Sequence, residues 1–193
     1  MRCYLVLVAA LVLQAGTIAQ AGPPVIVSRE CAAFRVAGQE PWSALLSFAT
    51  CIQDASVPHV ESVEQLEPML AELDASLAGP LRLYATAVDR APDPIKVRAA
   101  YFIAVAHVSI LVRARMALGD HSTPMLRFRL EGLLQRPGRT AWILFDAIDR
   151  VVLEDPARAP DAVTRAMVRS ARVYKRSLTP TFAPRGETVV ARP

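Results

Sequence analysis

Residues 99–112 read Ala-Ala-Tyr-Phe-Ile-Ala-Val-Ala-His-Val-Ser-Ile-Leu-Val, a run between Arg98 and Arg113 in which only His107 and Ser109 are clearly polar. Asp93-Pro94 precedes it and supplies a capping carboxylate, then a proline whose missing N–H does no harm in a first helical turn. Arg113 and Arg115 follow at the negative end of the helix dipole, and Gly119 suits a left-handed C-terminal cap. Fourteen helical residues extend about 21 Å, short of the ~30 Å hydrocarbon core of a bilayer. A helix apolar on every side then belongs inside a bundle. The stretch predicts an all-α, single-domain bundle of six or seven helices with a central apolar helix near 94–118.

The flanking segments fit that frame, because proline and glycine fall between periodic runs and no alternating strand pattern persists. A short helix is expected over 28–36. A longer one begins at Pro41, with Trp42, Leu45, Leu46, Ala49 and Ile52 on one face. Ser62 and Gln65 form a capping box, after which Val63, Leu66, Leu70, Leu73 and Leu77 make a seam that Gly79-Pro80 should break or kink, with a helical continuation over 81–90. Ser122 or Thr123 caps a helix over 124–135, which Pro137-Gly138 should end. Residues 140–154 place Ala141, Leu144, Phe145, Ile148, Val151 and Val152 on one face. Asp161 caps a final helix over 162–178. From 179 to 193 the chain has scattered charge and no periodicity, and a disordered tail is expected. No fixed repeat period is present, which favours a bundle over a repeat array.

The N-terminus predicts location. Arg2, an apolar stretch over 3–13 and Ala19-Gln20-Ala21 have the layout of a cleaved export signal over 1–21. Cys31 and Cys51 then remain, too far apart for a Cys-x-x-Cys motif or a zinc pair. In an oxidising compartment they are expected to form a disulfide that tethers segment 22–40 to the bundle domain over 41–178, at about 3 kcal/mol in the chain-entropy model. The chain has no asparagine and only two lysines, Lys96 and Lys175, against abundant arginine, alanine and proline. That bias suits a GC-rich bacterial genome, so the expected location is periplasmic or secreted. No further membrane span is expected once the leader is removed.

Chemistry is sparse. Gly119-Asp120-His121-Ser122 gathers residue types of nucleophilic catalysis, but neighbours on a loop diverge, and helix-end roles account for them. Asp146 and Asp149 could act as acid and base. Asp146 also stands four residues before Arg150, so a solvated surface ion pair is the expectation. His107 has no second histidine near it in sequence, and no metal or cofactor is expected. Arg165, Arg169, Arg172 and Arg176 step by four, three and four along one helix, a stripe suited to carboxylates or phosphates. The net charge of +4 falls to +3 without Arg2, too mild and too poor in stacking aromatics for nucleic acid.

The function expected is therefore that of an exported non-catalytic helical protein binding an anionic envelope component or protein partner through its basic last helix. The alternative is a carrier of an apolar ligand in a pocket beside Phe102, His107 and Leu111, and an enzyme comes last. No motif ties the chain to a known family.

Overall fold

A computed structural model describes residues 60–118 and 122–184, together with Trp42 and Leu46. The expected leader, Cys31 and Cys51 with their expected bridge, the expected helix over 28–36, nearly all of the one from Pro41, the expected Gly119 cap and residues 185–193 lie outside the described residues. The fold is all-α, with five α-helices and no strand among the described residues. They are α1 (Leu66–Arg90), α2 (Asp93–Ala117), α3 (Pro124–Leu133), α4 (Gln135–Glu154) and α5 (Ala162–Phe182). Short 3₁₀ turns at Val63–Gln65 and Pro156–Arg158 precede α1 and α5.

Helix α2 packs against α1, α4 and α5, and α4 also packs against α5. Ala99, Ile103, Ala104, Ala106, Ile110, Leu111 and Ala114 are buried on it. Burial is uneven, however. Tyr101, Phe102, Val105 and Val108 are only partly covered, and Val112 is 49% exposed. All-round apolarity in residues 99–112 is thus not matched by all-round burial. The helix also starts one residue early, with Pro92 at the cap and Asp93 in the first turn. The Pro92 carbonyl accepts from the Ile95 and Lys96 N–H groups.

Three expected interruptions fall differently in the structure. Of the break or kink expected at Gly79-Pro80, no break occurs, and Pro80 is a fully buried interior residue of α1, which runs on to Arg90. A mid-helix proline costs about 3 kcal/mol through its lost hydrogen bond and its clash, and burial beside Leu77 and Tyr84 offsets that cost here. Pro137-Gly138 lies in the first turn of α4 instead of between helices. Pro137 has no N–H for the Leu133 carbonyl, which puts the break at Leu133–Leu134, three residues before the proline. The Leu134 N–H still donates to the Leu130 carbonyl, and its own carbonyl accepts from the Gly138 N–H.

The third is the expected tail from 179. Helix α5 continues through Pro180 to Phe182, because these residues have partners on α4. The Trp142 Nε1–H donates to Thr179 Oγ1 at 3.0 Å, and the Phe182 ring is buried against Gly138. A Cβ on Gly138 would sit 2.4 Å from that ring, so only glycine allows the approach. Two helix starts are as expected. Asp161 accepts from the Thr164 N–H at 2.8 Å, and Thr123 accepts from the Leu126 N–H.

Gly138→Ala should lower unfolding stability by about 1–3 kcal/mol, as overpacking does. In a Phe182→Ala background the same change should cost little, and urea titration of the four proteins measures the difference.

Candidate functional site

Helix α5 carries the candidate site. Its outer side exposes Arg165, Arg169 and Arg176, spaced four and seven residues apart, so periodicity holds the three within a narrow arc. Arg172 does not join them. Its guanidinium donates from Nε to Asp149 Oδ1 at 2.6 Å, and Lys175 reaches the same carboxylate at 3.4 Å. Lys175 also pairs with Asp146 at 2.6 Å, and Arg150 closes on Asp146 at 2.7 Å. The expected four-arginine stripe is therefore split. Arg172 turns into the α4–α5 seam, and Arg165 donates to the backbone carbonyls of Ala159 and Pro160. No described residue pairs with Arg169 or Arg176.

This corrects the reading of Asp146 and Asp149 as solvated surface charge. The Asp146 side chain is 12% exposed and that of Asp149 14%. The reason is helical geometry. Asp149 follows Phe145 by four residues and Asp146 follows Trp142 by four, so both share the arc that α5 covers. Sequence reasoning missed the cluster, although that spacing was its available signal. Two carboxylates facing three cations at contact distance do not make a free acid–base couple. The cluster holds two helices together.

A second polar link joins α2 to α5. Arg98 Nε donates to Thr164 Oγ1 at 2.9 Å, and Arg98 Nη2 lies 2.8 Å from Asp161 Oδ2. The Thr164 hydroxyl donates to Asp161 at 2.7 Å. Hydrogen bonds from the Thr164 N–H and hydroxyl, with Arg98 beside them, hold the Asp161 carboxyl well below the usual carboxylate range. Tyr101 adds a hydrogen bond to Ser170 at 3.0 Å.

The alternative pocket residues are drawn into packing instead. Phe102 stacks on Tyr84 with centroids 5.3 Å apart, and Leu111 is buried. Tyr101 then links Phe102 to Phe145, which stacks on Tyr174. This row of rings runs across α1, α2, α4 and α5. His107 shares an arc with Ile103, Leu111 and Ala114, and its buried Nδ1 has no hydrogen-bond partner among the described residues. Burial, with the positive charge of Arg136 adding to it, lowers the imidazole pKa to about 4. Among the described residues no three metal-ligating side chains come together. Of the Gly119-Asp120-His121-Ser122 set only Ser122 is described, and its hydroxyl accepts from Arg127.

Fold and site together define an all-α helical bundle with a basic outer helix. Compared with known protein families, with characterised proteins and with solved structures, the chain shows no significant match.

Two outcomes follow from this geometry. Asp149→Asn should cost about 1–3 kcal/mol by leaving Arg172 and Lys175 without their carboxylate in a half-buried seam. A double-mutant cycle with Arg172→Met should return a coupling energy above the roughly 0.5 kcal/mol expected of independent sites. For His107 the folded pKa lies below the unfolded value, so the unfolded chain binds the proton first. Its contribution is complete above about pH 6.5 and is lost as pH falls toward about 4. His107→Leu should flatten this arm of the stability–pH curve by about 1–3 kcal/mol without loss at neutral pH, since it removes the unpartnered nitrogen.

Proposed function

We propose that this chain is an exported, non-catalytic helical protein that binds an anionic partner in the bacterial envelope through the outer face of α5. The observation that carries the reading is the sorting of cations on that helix. Arg172 and Lys175 face carboxylates in the seam, whereas Arg169 and Arg176 face outward with no described partner and Arg165 holds only backbone oxygens. A guanidinium left unpaired on a rigid helix offers two parallel hydrogen bonds to a carboxylate or phosphate. From Arg165 to Arg176 the stripe spans about 16 Å at 1.5 Å per residue. It suits an extended acidic surface better than one small anion.

The export signal over 1–21, the Cys31–Cys51 bridge and one or two further helices before Val60 belong to the same proposal. They would place the protein in the periplasm or outside the cell, with α2 as the central helix of the completed bundle. The carrier alternative has one point in its favour, the unpartnered Nδ1 of His107.

Charge reversal tests the reading where the partner would meet it. Arg165→Glu, Arg169→Glu and Arg176→Glu together should lower the share of protein in the envelope fraction severalfold, with the thermal unfolding midpoint changed by only a few degrees. Undiminished envelope association of the folded triple variant would sink the proposal.

A further inference from the structure

Helix α3 is built the wrong way round for a helix that merely covers a core. Leu126 and Leu130 face inward at 2% and 0% exposure, while Met125 and Phe128 face outward at 62% and 76%. With 3.6 residues per turn, Met125, Phe128, Arg129 and Gly132 share an arc of about 100°, opposite the buried leucines. A Cβ added to Gly132 would meet no atom within 4 Å, so nothing in the described chain covers this face.

In sequence, the charge around these apolar side chains is mostly of one sign. Between residues 122 and 145 the sequence has four arginines and a single acid, Glu131. That acid is already used, because Arg115 of α2 donates to both its oxygens at 2.7 and 2.8 Å. Arg129 and Arg139 are exposed, whereas the charge of Arg136 acts on Asp74 of α1 and His107 of α2. A large aromatic ring and a thioether beside arginines, on the outer side of a short helix, match the face that an interfacial helix turns toward lipid.

We propose that α3 seats on an anionic bilayer surface. Met125 and Phe128 enter the boundary between headgroups and acyl chains, and Arg129 and Arg139 meet the lipid phosphates. Two observations favour lipid over a second copy of the chain. Self-association would bring the same arginines face to face, which like-charge repulsion opposes. Two apolar side chains also fall far short of the ~800 Å² per partner that a stable interface buries. A bilayer needs neither a matching surface nor a large one. The seat is distinct from the α5 stripe and stands without it.

Co-sedimentation of the full chain with vesicles tests this directly. Vesicles of phosphatidylcholine mixed with phosphatidylglycerol should retain the protein, and vesicles of phosphatidylcholine alone should not. Phe128→Ser with Met125→Ser should weaken retention at least about tenfold, consistent with losing two apolar insertions, while the unfolding midpoint holds because both side chains are exposed. Phe128→Trp should gain quenching by brominated acyl chains that the unsubstituted protein lacks. Three results would overturn the proposal. They are no retention on anionic vesicles, retention unchanged by the double serine variant, and a dimer in sedimentation that this variant dissolves. Loss of retention on reversing the α5 arginines, with the double serine variant still bound, would transfer the contact to α5 and reject α3.

Discussion

The structure depends on burying one side of α2 against three helices at once. That side is lined by Ala99, Ala104, Ala106 and Ala114, each fully buried, with Ile103, Ile110 and Leu111 among them. Helix axes approach only as closely as the side chains between them allow, and alanine allows the closest approach short of glycine. Larger groups fill the space where the small ones stop. Tyr84, Phe102, Tyr101, Phe145 and Tyr174 form one row of ring contacts, with neighbouring centroids 5.2–6.1 Å apart. Removing a ring from the middle of such a row would disturb packing on either side of it, because interiors at crystal-like density have no slack.

Apolar packing of this kind holds helices together but is tolerant of rotation, and α5 carries polar contacts that are not. At its N-terminus Arg98, Thr164 and Asp161 close a three-residue network, and farther along Asp149 and Asp146 engage Arg172 and Lys175. Pairs of this kind add little net stability compared with an apolar replacement, but breaking one is expensive. Here their effect is geometric. A turn of α5 by one residue would carry Lys175 away from both carboxylates and swing Arg169 or Arg176 toward the seam. The two networks therefore determine which arginines remain outside.

Much of this architecture was legible in sequence, because helix periodicity and capping are local. The Asp161 and Thr123 caps and the cores of all five helices follow from spacing alone. The failures share one cause. A break or kink at Pro80, a stop at Pro137 and a tail from 179 are expected because the cost of a proline or of lost periodicity is local, whereas what offsets it is distant in sequence: burial of Pro80, Gly138 under Phe182, and Trp142 on Thr179. The candidate site shows the same division. The arginine stripe follows from spacing, but its split into paired and unpaired members depends on α4, whose contribution no local rule reveals. Asp149 is the exception. Its position four residues after Phe145 already placed it on the covered side.

The two basic outer faces are held in different ways, and this bears on what each can do. Helix α5 is fixed by ion pairs, by hydrogen bonds from α2 and by the buried Leu178 and Phe182. Helix α3 buries two leucines and is tied to α2 through Arg115 and Glu131, both nearly half-exposed. An exposed pair of this type contributes about 0–1 kcal/mol and is screened by salt. Regions with few buried contacts open at lower free energy than the core around them. Among the described residues, helix α3 thus combines the weakest attachment of the five helices with the largest exposed apolar side chain, Phe128. A rigid cationic stripe recognises a fixed pattern of negative charge. A loosely held helix with apolar groups outward gains most from a surface that covers those groups and makes no demand on their exact placement.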